Sequence, residues 1–243
     1  MASYFIAEGD IVIERAIRSG YTLASILIDG KRNKPLPDAV TDDLPVFACA
    51  PNVLQRVTGY HLHRGALACF HRRPVPTPEQ VIEQVQASPP ATVLVCEGIN
   101  NPTNMGVILR CAVALGVTGF FLDPTCCDPL YRRSGRVSMG EAFALPYARL
   151  GQFPEGLDLL IERGFRLLAL TPDPEATDIG DIRLERDEPV ALIVGAEGPG
   201  LTTGTLERVE ERVRIPMSGE VDSINVGTAA AIAFWAVQQA RRL

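Results

Sequence analysis

A chain of 243 residues has room for one large domain or two small ones. With 47% hydrophobic and 21% charged residues it has the balance of a folded globular protein, which excludes bulk disorder, and no uncharged apolar run reaches the ~18 residues of a membrane span. The net charge of −6 argues against a general polyanion binder. The charge is uneven, however. Residues 1–75 hold nine Lys/Arg and seven Asp/Glu, a net of +2, and the remainder holds fourteen against twenty-two, a net of −8. The N-terminus meets Glu8 and Asp10 without the basic start or apolar core of a signal peptide, so a cytoplasmic protein is expected. Six cysteines, at 49, 69, 96, 111, 126 and 127, form no C-x-x-C pair and read as reduced, mostly buried thiols. Cys126 and Cys127 are neighbours and therefore poorly placed to bridge each other.

In chain order, the predicted elements begin with a helix over Asp10–Arg18, where Val12, Ile13, Ala16 and Ile17 recur at helical spacing. Ser25–Ile28 is a short apolar run, Asn52–Val57 reads as a short helix and Ala66–Phe70 as a strand. Pro74, Pro76, Pro78, Pro89 and Pro90 then mark a connector that holds a short helix at Glu79–Gln86. The chain divides there into a small α/β domain (1–75), a proline-rich linker (76–90) and a second domain (91–243). The second domain alternates. Strands are predicted at Thr92–Cys96, Thr118–Leu122, Arg166–Leu170, Val190–Val194 and Arg212–Ile215, and helices at Thr103–Leu115, Glu155–Arg163 and Val226–Ala240. Such alternation predicts a mostly parallel sheet with helices on both faces, and a ligand beyond the C-terminal strand ends.

Three segments carry residue types with chemical use. The first runs from Glu97 to Arg110, where Asn101-Pro102 reads as a helix N-cap with proline at the first helical position. Asn104 falls in the first turn, and Arg110 is the only charge between Glu97 and Asp123. Arg110 is either a buried ion-pair partner or a functional cation. The second segment is Gly195-Ala-Glu197-Gly198-Pro-Gly200, a glycine-rich turn after an apolar strand, whose spacing differs from the dinucleotide fingerprint G-x-G-x-x-G. The third, from Ile215 through Met217, Ser223 and Asn225 to Thr228, offers more capping side chains than one helix needs. Arg132, Arg133 and Arg136 lie in an acid-free run and read as a phosphate-binding surface or a solvated cluster. His61, His63, Cys69 and His71 fit no zinc spacing, and no metal is expected.

Taken together, N-P-x-N-x-G-x-x-x-R, V-G-x-E-G-x-G-L and I-P-M-x-G-x-x-x-S-x-N-V occur in the order found in the SpoU (TrmH-like) class of SPOUT RNA methyltransferases. The chain resembles that class over about Thr92–Ala240. FIAEGDIVIERAIRSG and RVTGYHLHRGALACF look more loosely like the ribosomal-protein-like α/β substrate-binding domain often attached to it. Ile224-Asn-Val-Gly-Thr replaces the Leu-Asn-Val-Ser-Val of many relatives and keeps Ser223 and Asn225.

The resemblance implies an α/β SPOUT domain with a deep trefoil knot, a homodimer, and S-adenosylmethionine held mainly by backbone around Gly195, Gly198, Ile215, Met217 and Ile224. It implies methyl transfer to a ribose 2′-hydroxyl of RNA, with Arg110 positioning a phosphate or activating the hydroxyl. Asn104, Ser223 and Asn225 would orient substrate and loop, and Glu197 would pair with Arg110. Arg132, Arg133 and Arg136 would contact RNA. The attached domain favours large-subunit ribosomal RNA over transfer RNA. An inactive RNA-binding or assembly protein of the same fold is the alternative from a different class.

Overall fold

The computed structural model describes residues 3–59, 65–218 and 223–241. Its first sheet takes β1 (Tyr4–Glu8), β2 (Leu23–Asp29), β3 (Val46–Cys49) and β4 (Ala66–His71), with α1 (Asp10–Arg18) between β1 and β2 and α2 (Pro51–Thr58) between β3 and β4. The spatial order is β1-β4-β2-β3, antiparallel except for the β2–β3 pair. α1 has the predicted bounds and buries Val12, Ile13 and Ala16 against Phe5, Ala7, Ile26 and Phe70.

The chain continues through α3 (Pro78–Gln86), β5 (Thr92–Cys96), α4 (Pro102–Ala114), β6 (Gly119–Leu122), α5 (Arg132–Val137), β7 (Tyr147–Arg149), α6 (Asp158–Glu162), β8 (Arg166–Leu170), β9 (Thr177–Asp178), β10 (Val190–Val194), α7 (Thr203–Arg208), β11 (Glu211–Arg214) and α8 (Val226–Ala240). The second sheet is seven-stranded, in the order β7-β6-β5-β10-β8-β11-β9, and every pairing is parallel. β5 and β10 are buried along their whole length, as continuous apolar runs require when both faces are covered. One face packs Leu94, Leu168 and Leu192 under α4 and α8. The other packs Val93, Val95 and Ile193 under α3 and α6. Among the described residues, no helix is long and apolar enough to cross a membrane.

The proline-rich stretch does more than connect. A capping box of Thr77 and Gln80 starts α3, whose Val81, Ile82 and Val85 are buried with Phe121 and Ala148 of the second sheet. Residues 128–143 also leave the second sheet to finish the first core: Leu130 and Phe143 are buried beside Phe5 and Tyr21, with ring centroids 5.2 Å apart for Phe5–Phe143. Ion pairs cross the same boundary: Arg15–Glu141 at 3.0 Å, Arg136–Glu8 at 2.9 Å, and Arg72–Asp128. Two sheets therefore share one continuous junction.

Candidate functional site: three loops around one pocket

β5, β10, β8 and β11 all deliver their C-terminal ends to one side of the second sheet. After β10 the chain turns sharply through Gly198 (φ 89°) and Gly200 (φ 71°), and the Gly200 N–H donates to the Ala196 carbonyl at 3.0 Å. Gly195 is forced by close approach: a Cβ there would lie 2.5 Å from the Leu201 nitrogen and 2.6 Å from the Gly200 oxygen. Glu97, 5% exposed at the end of β5, accepts the Thr202 N–H on Oε1 at 3.2 Å and so ties this loop to the sheet. Its Oε2 is buried with no hydrogen-bond partner among the described residues.

Helix α4 starts as its residues dictate. Asn101 Oδ1 accepts the Thr103 N–H at 2.8 Å, and Pro102 occupies the first turn. Asn104 is buried in that turn. Helix α8 is capped by Asn225, whose Oδ1 accepts the N–H groups of Gly227 (2.9 Å) and Thr228 (3.4 Å). Capping fixes the amide's orientation and leaves both Nδ2 protons free to donate. They go to Asn104 Oδ1 at 3.2 Å and to Glu197 Oε1 at 2.8 Å. One side-chain amide thus joins all three segments singled out in the sequence.

Beside this junction lies a cavity of about 350 Å³, within the usual range for a small-molecule site. Gly195, Gly198, Ile215, Met217 and Ile224 all line it, together with Glu197, Ser223 and Asn225. Leu170, Thr171 and Pro172 also line it. The sequence reading missed these three; their signal was their place directly after an apolar strand. Gly219 to Asp222, inside the third segment, lie outside the described residues, as do His61 and His63.

Arg110 is placed differently from the expectation. It is exposed, so it is not a buried ion-pair partner, and it makes no ion pair among the described residues. Within the chain, Glu197 pairs with Asn225 rather than with Arg110. The reason is helical geometry: six residues separate Asn104 from Arg110, about 120° around the axis and about 9 Å along it. Arg110 emerges between Gly106, which packs on α5, and Val107, which packs on Gly227 of α8.

The arginine cluster is also altered. Arg136 and Arg132 reach the buried Glu8 at 2.9 and 3.8 Å, and Arg133 stays exposed. The paired cysteines are packing groups: Cys126 Sγ accepts the Ile99 N–H and donates to the Cys96 carbonyl. Burial, then the charge of Asp128, pushes the Cys127 thiol up to about 11, so it stays protonated at neutral pH.

Known proteins are similar to this chain in sequence and fold. An uncharacterized tRNA/rRNA methyltransferase of Mycobacterium tuberculosis is 44% identical over 232 residues, 95% of this chain and 79% of that protein. The crystal structure of an RNA 2′-O ribose methyltransferase superposes with a TM-score of 0.79 at 28% identity, covering 99% of this chain and 90% of that one. The SpoU methyltransferase AviRb from Streptomyces viridochromogenes, in complex with AdoMet, has the same fold, with a TM-score of 0.81 at 23% identity over 99% of this chain and 91% of that one. Residues 91–235 match the SpoU rRNA methylase family, and the chain belongs to that family.

Proposed function

We propose that the protein transfers a methyl group from S-adenosylmethionine to a ribose 2′-hydroxyl of RNA, and that the RNA is large-subunit ribosomal RNA. The observation that carries this reading is the Asn225 amide, which binds Asn104 and Glu197 at the edge of the cavity. An inactive relative would have no need to keep that junction, Ser223 and Arg110 together.

The cavity suits the cofactor. Gly195 lets the Gly200–Leu201 backbone close against it and so form part of the wall, and Leu170, Ile215 and Val226 give the cavity an apolar side. Gly195, Gly198, Ile215, Met217 and Ile224 would hold the cofactor, which when bound supplies a methyl group already activated on a sulfonium. The remaining work is to present a hydroxyl, a poor nucleophile at neutral pH. Asn225 holds Glu197 and Asn104 in place. Arg110 supplies a planar fork of donors for a phosphate or a developing alkoxide. The knotted path of the family belongs to this reading; β10 lying between β5 and β8, with Ile215 and Met217 returning to the cavity, supports it. The N-terminal domain, with its net positive charge, supplies RNA affinity.

Mapping 2′-O-methylation in RNA from cells with and without the protein tests the assignment. One ribosomal position is expected to lose its methyl group. A lost position in transfer RNA would replace the RNA target, and no lost position would overturn the activity.

The same reading includes a homodimer. α8 buries one side in the second sheet's core yet leaves Ile232 and Trp235 (55% exposed) on the stripe that begins at Thr228. Light scattering at micromolar protein is expected to give twice the chain mass, and Trp235→Glu to give the monomer. A wild-type monomer mass independent of concentration would refute the dimer.

A further inference from the structure

The loop that walls the cavity is held at both ends by one residue. It runs from Gly195 to Leu201, and Gly195, Ala196, Glu197, Gly198 and Gly200 line the cavity. On the residue before it, the Val194 carbonyl accepts the Glu97 N–H at 2.9 Å. On the residue after it, the Thr202 N–H donates to Glu97 Oε1 at 3.2 Å. Gly98 adds a third contact: at φ 68° it approaches the loop so closely that a Cβ on it would lie 3.1 Å from the Ala196 Cβ. Thr202 is also the N-cap of α7, where its Oγ1 accepts the N–H of the buried Thr205 at 3.4 Å. The far end of the loop therefore has a fixed base.

The loop between these two ends has little to fix it. Its Gly200 N–H donates to the Ala196 carbonyl, and three of its seven residues are glycine, the residue with the most conformational freedom to lose. Glu97, by contrast, is a costly group to place here. Its carboxyl is buried, no cation pairs with it among the described residues, and its Oε2 has no hydrogen-bond partner there. A buried polar atom left without a partner lowers stability. Stability alone therefore does not account for a glutamate at this position.

We propose that Glu97 is a positioning residue for the cofactor: by gripping both ends of the 195–201 loop it sets the loop in its binding shape before the cofactor arrives. The inference rests on the reading of the cavity as the S-adenosylmethionine site. Glu97 does not line the cavity, so it acts through the loop and not by contact. A loop held ready loses less conformational freedom on binding, and the ligand binds more tightly for it. Glu197 rides on the same loop and meets the Asn225 amide at 2.8 Å. One clamp thus serves the cavity wall and the junction of the three segments.

The test compares Glu97→Ala with Glu97→Gln in the full chain. The glutamine keeps an oxygen for the Thr202 N–H, and the alanine does not. Calorimetry with S-adenosylmethionine is expected to show affinity weaker by about tenfold or more for Glu97→Ala, and within about threefold of wild type for Glu97→Gln. Hydrogen exchange in the cofactor-free protein is expected to quicken by about tenfold or more at the Thr202 amide in Glu97→Ala, and not in Glu97→Gln. Val93→Ala is the control for a purely structural loss: it opens a cavity in the same strand, four residues from Glu97. It should lower the melting temperature and leave cofactor affinity within about threefold. Wild-type affinity or unchanged Thr202 exchange in Glu97→Ala would overturn the proposal. So would failure of Glu97→Gln to restore affinity, or an equal loss of affinity in Val93→Ala. The two readings fail separately. If the wild-type chain binds no S-adenosylmethionine, the cavity reading is wrong and the positioning role falls with it. If wild type and Glu97→Ala bind equally well, the cavity reading stands and only the positioning role falls.

Discussion

Replacing Gly195 by alanine is expected to lower S-adenosylmethionine affinity by about a hundredfold or more while the protein still folds. Gly195 directly follows β10, a strand buried along its whole length, and begins the loop that walls the cavity. The atoms its new methyl group would meet, Leu201 N at 2.5 Å and Gly200 O at 2.6 Å, are backbone, so no side chain can swing away. The loop must move instead, and with it Glu197, Gly198 and Gly200. Overpacking of this kind costs about 1–3 kcal/mol of stability, an amount that a domain of this size tolerates. Gly151→Ala is the control, because a Cβ there meets nothing within 4 Å. Calorimetry in excess chelator, with a thermal melt of each variant, measures both effects. Affinity within threefold of wild type for Gly195→Ala would move the cofactor out of this cavity.

The fold was most legible where burial is two-sided. β5, β8 and β10 and helices α1 and α8 have the bounds read from the sequence, because long apolar runs or a clear helical stripe leave no competing assignment. β1 and β3 passed unread. β3 is a four-residue strand with Val46 and Phe47 exposed, and β1 alternates against a single neighbour. α5 was unreadable for a different reason. Its buried side is Ser134 and Gly135, so nothing in RRSGRV has the periodicity of an amphipathic helix.

The site divides in the same way. Asn101, Asn225 and the glycine turn are local signals, and each does the local job that its type suggests. What no local pattern carries is the meeting of Asn225 with Asn104, 121 positions earlier, or of Glu97 with Thr202, 105 positions later. Glu8 reaching Arg136 is of the same kind. For Arg110 the sequence left a buried ion-pair partner and a functional cation both open, and its helix puts it outside: Asn104, Met105, Gly106, Ile108, Leu109 and Ala112 are the buried residues. α4 is covered by the sheet, α5 and α8 at once, so most of its circumference is interior and Arg110 occupies the strip that remains outside.

That position sets the outcome expected for Arg110→Ala. An exposed arginine with no ion pair can be removed for less than about 1 kcal/mol, so the denaturant midpoint should hardly move. Cofactor affinity should hold as well, because Arg110 does not line the cavity. Single-turnover methylation is nevertheless expected to fall by about a hundredfold or more, the scale for losing a donor that stabilises developing charge. Arg110→Lys should not restore it, since an ammonium lacks the two parallel N–H donors that grip a phosphate. Near-normal turnover by either variant would remove Arg110 from the reaction. Within one chain Glu197 pairs with Asn225, and Arg110 does not line the cavity; if the proposed dimer forms over the face of Trp235, Arg110 would serve the partner's pocket. Mixing inactive Arg110→Ala chains with inactive Gly195→Ala chains then separates the two geometries. If the arginine acts across the dimer, a mixed dimer pairs an intact Arg110 with an intact cavity on the opposite chain, and methylation returns. If it acts within its own chain, every cavity that binds cofactor lacks its arginine, and the mixture stays inactive.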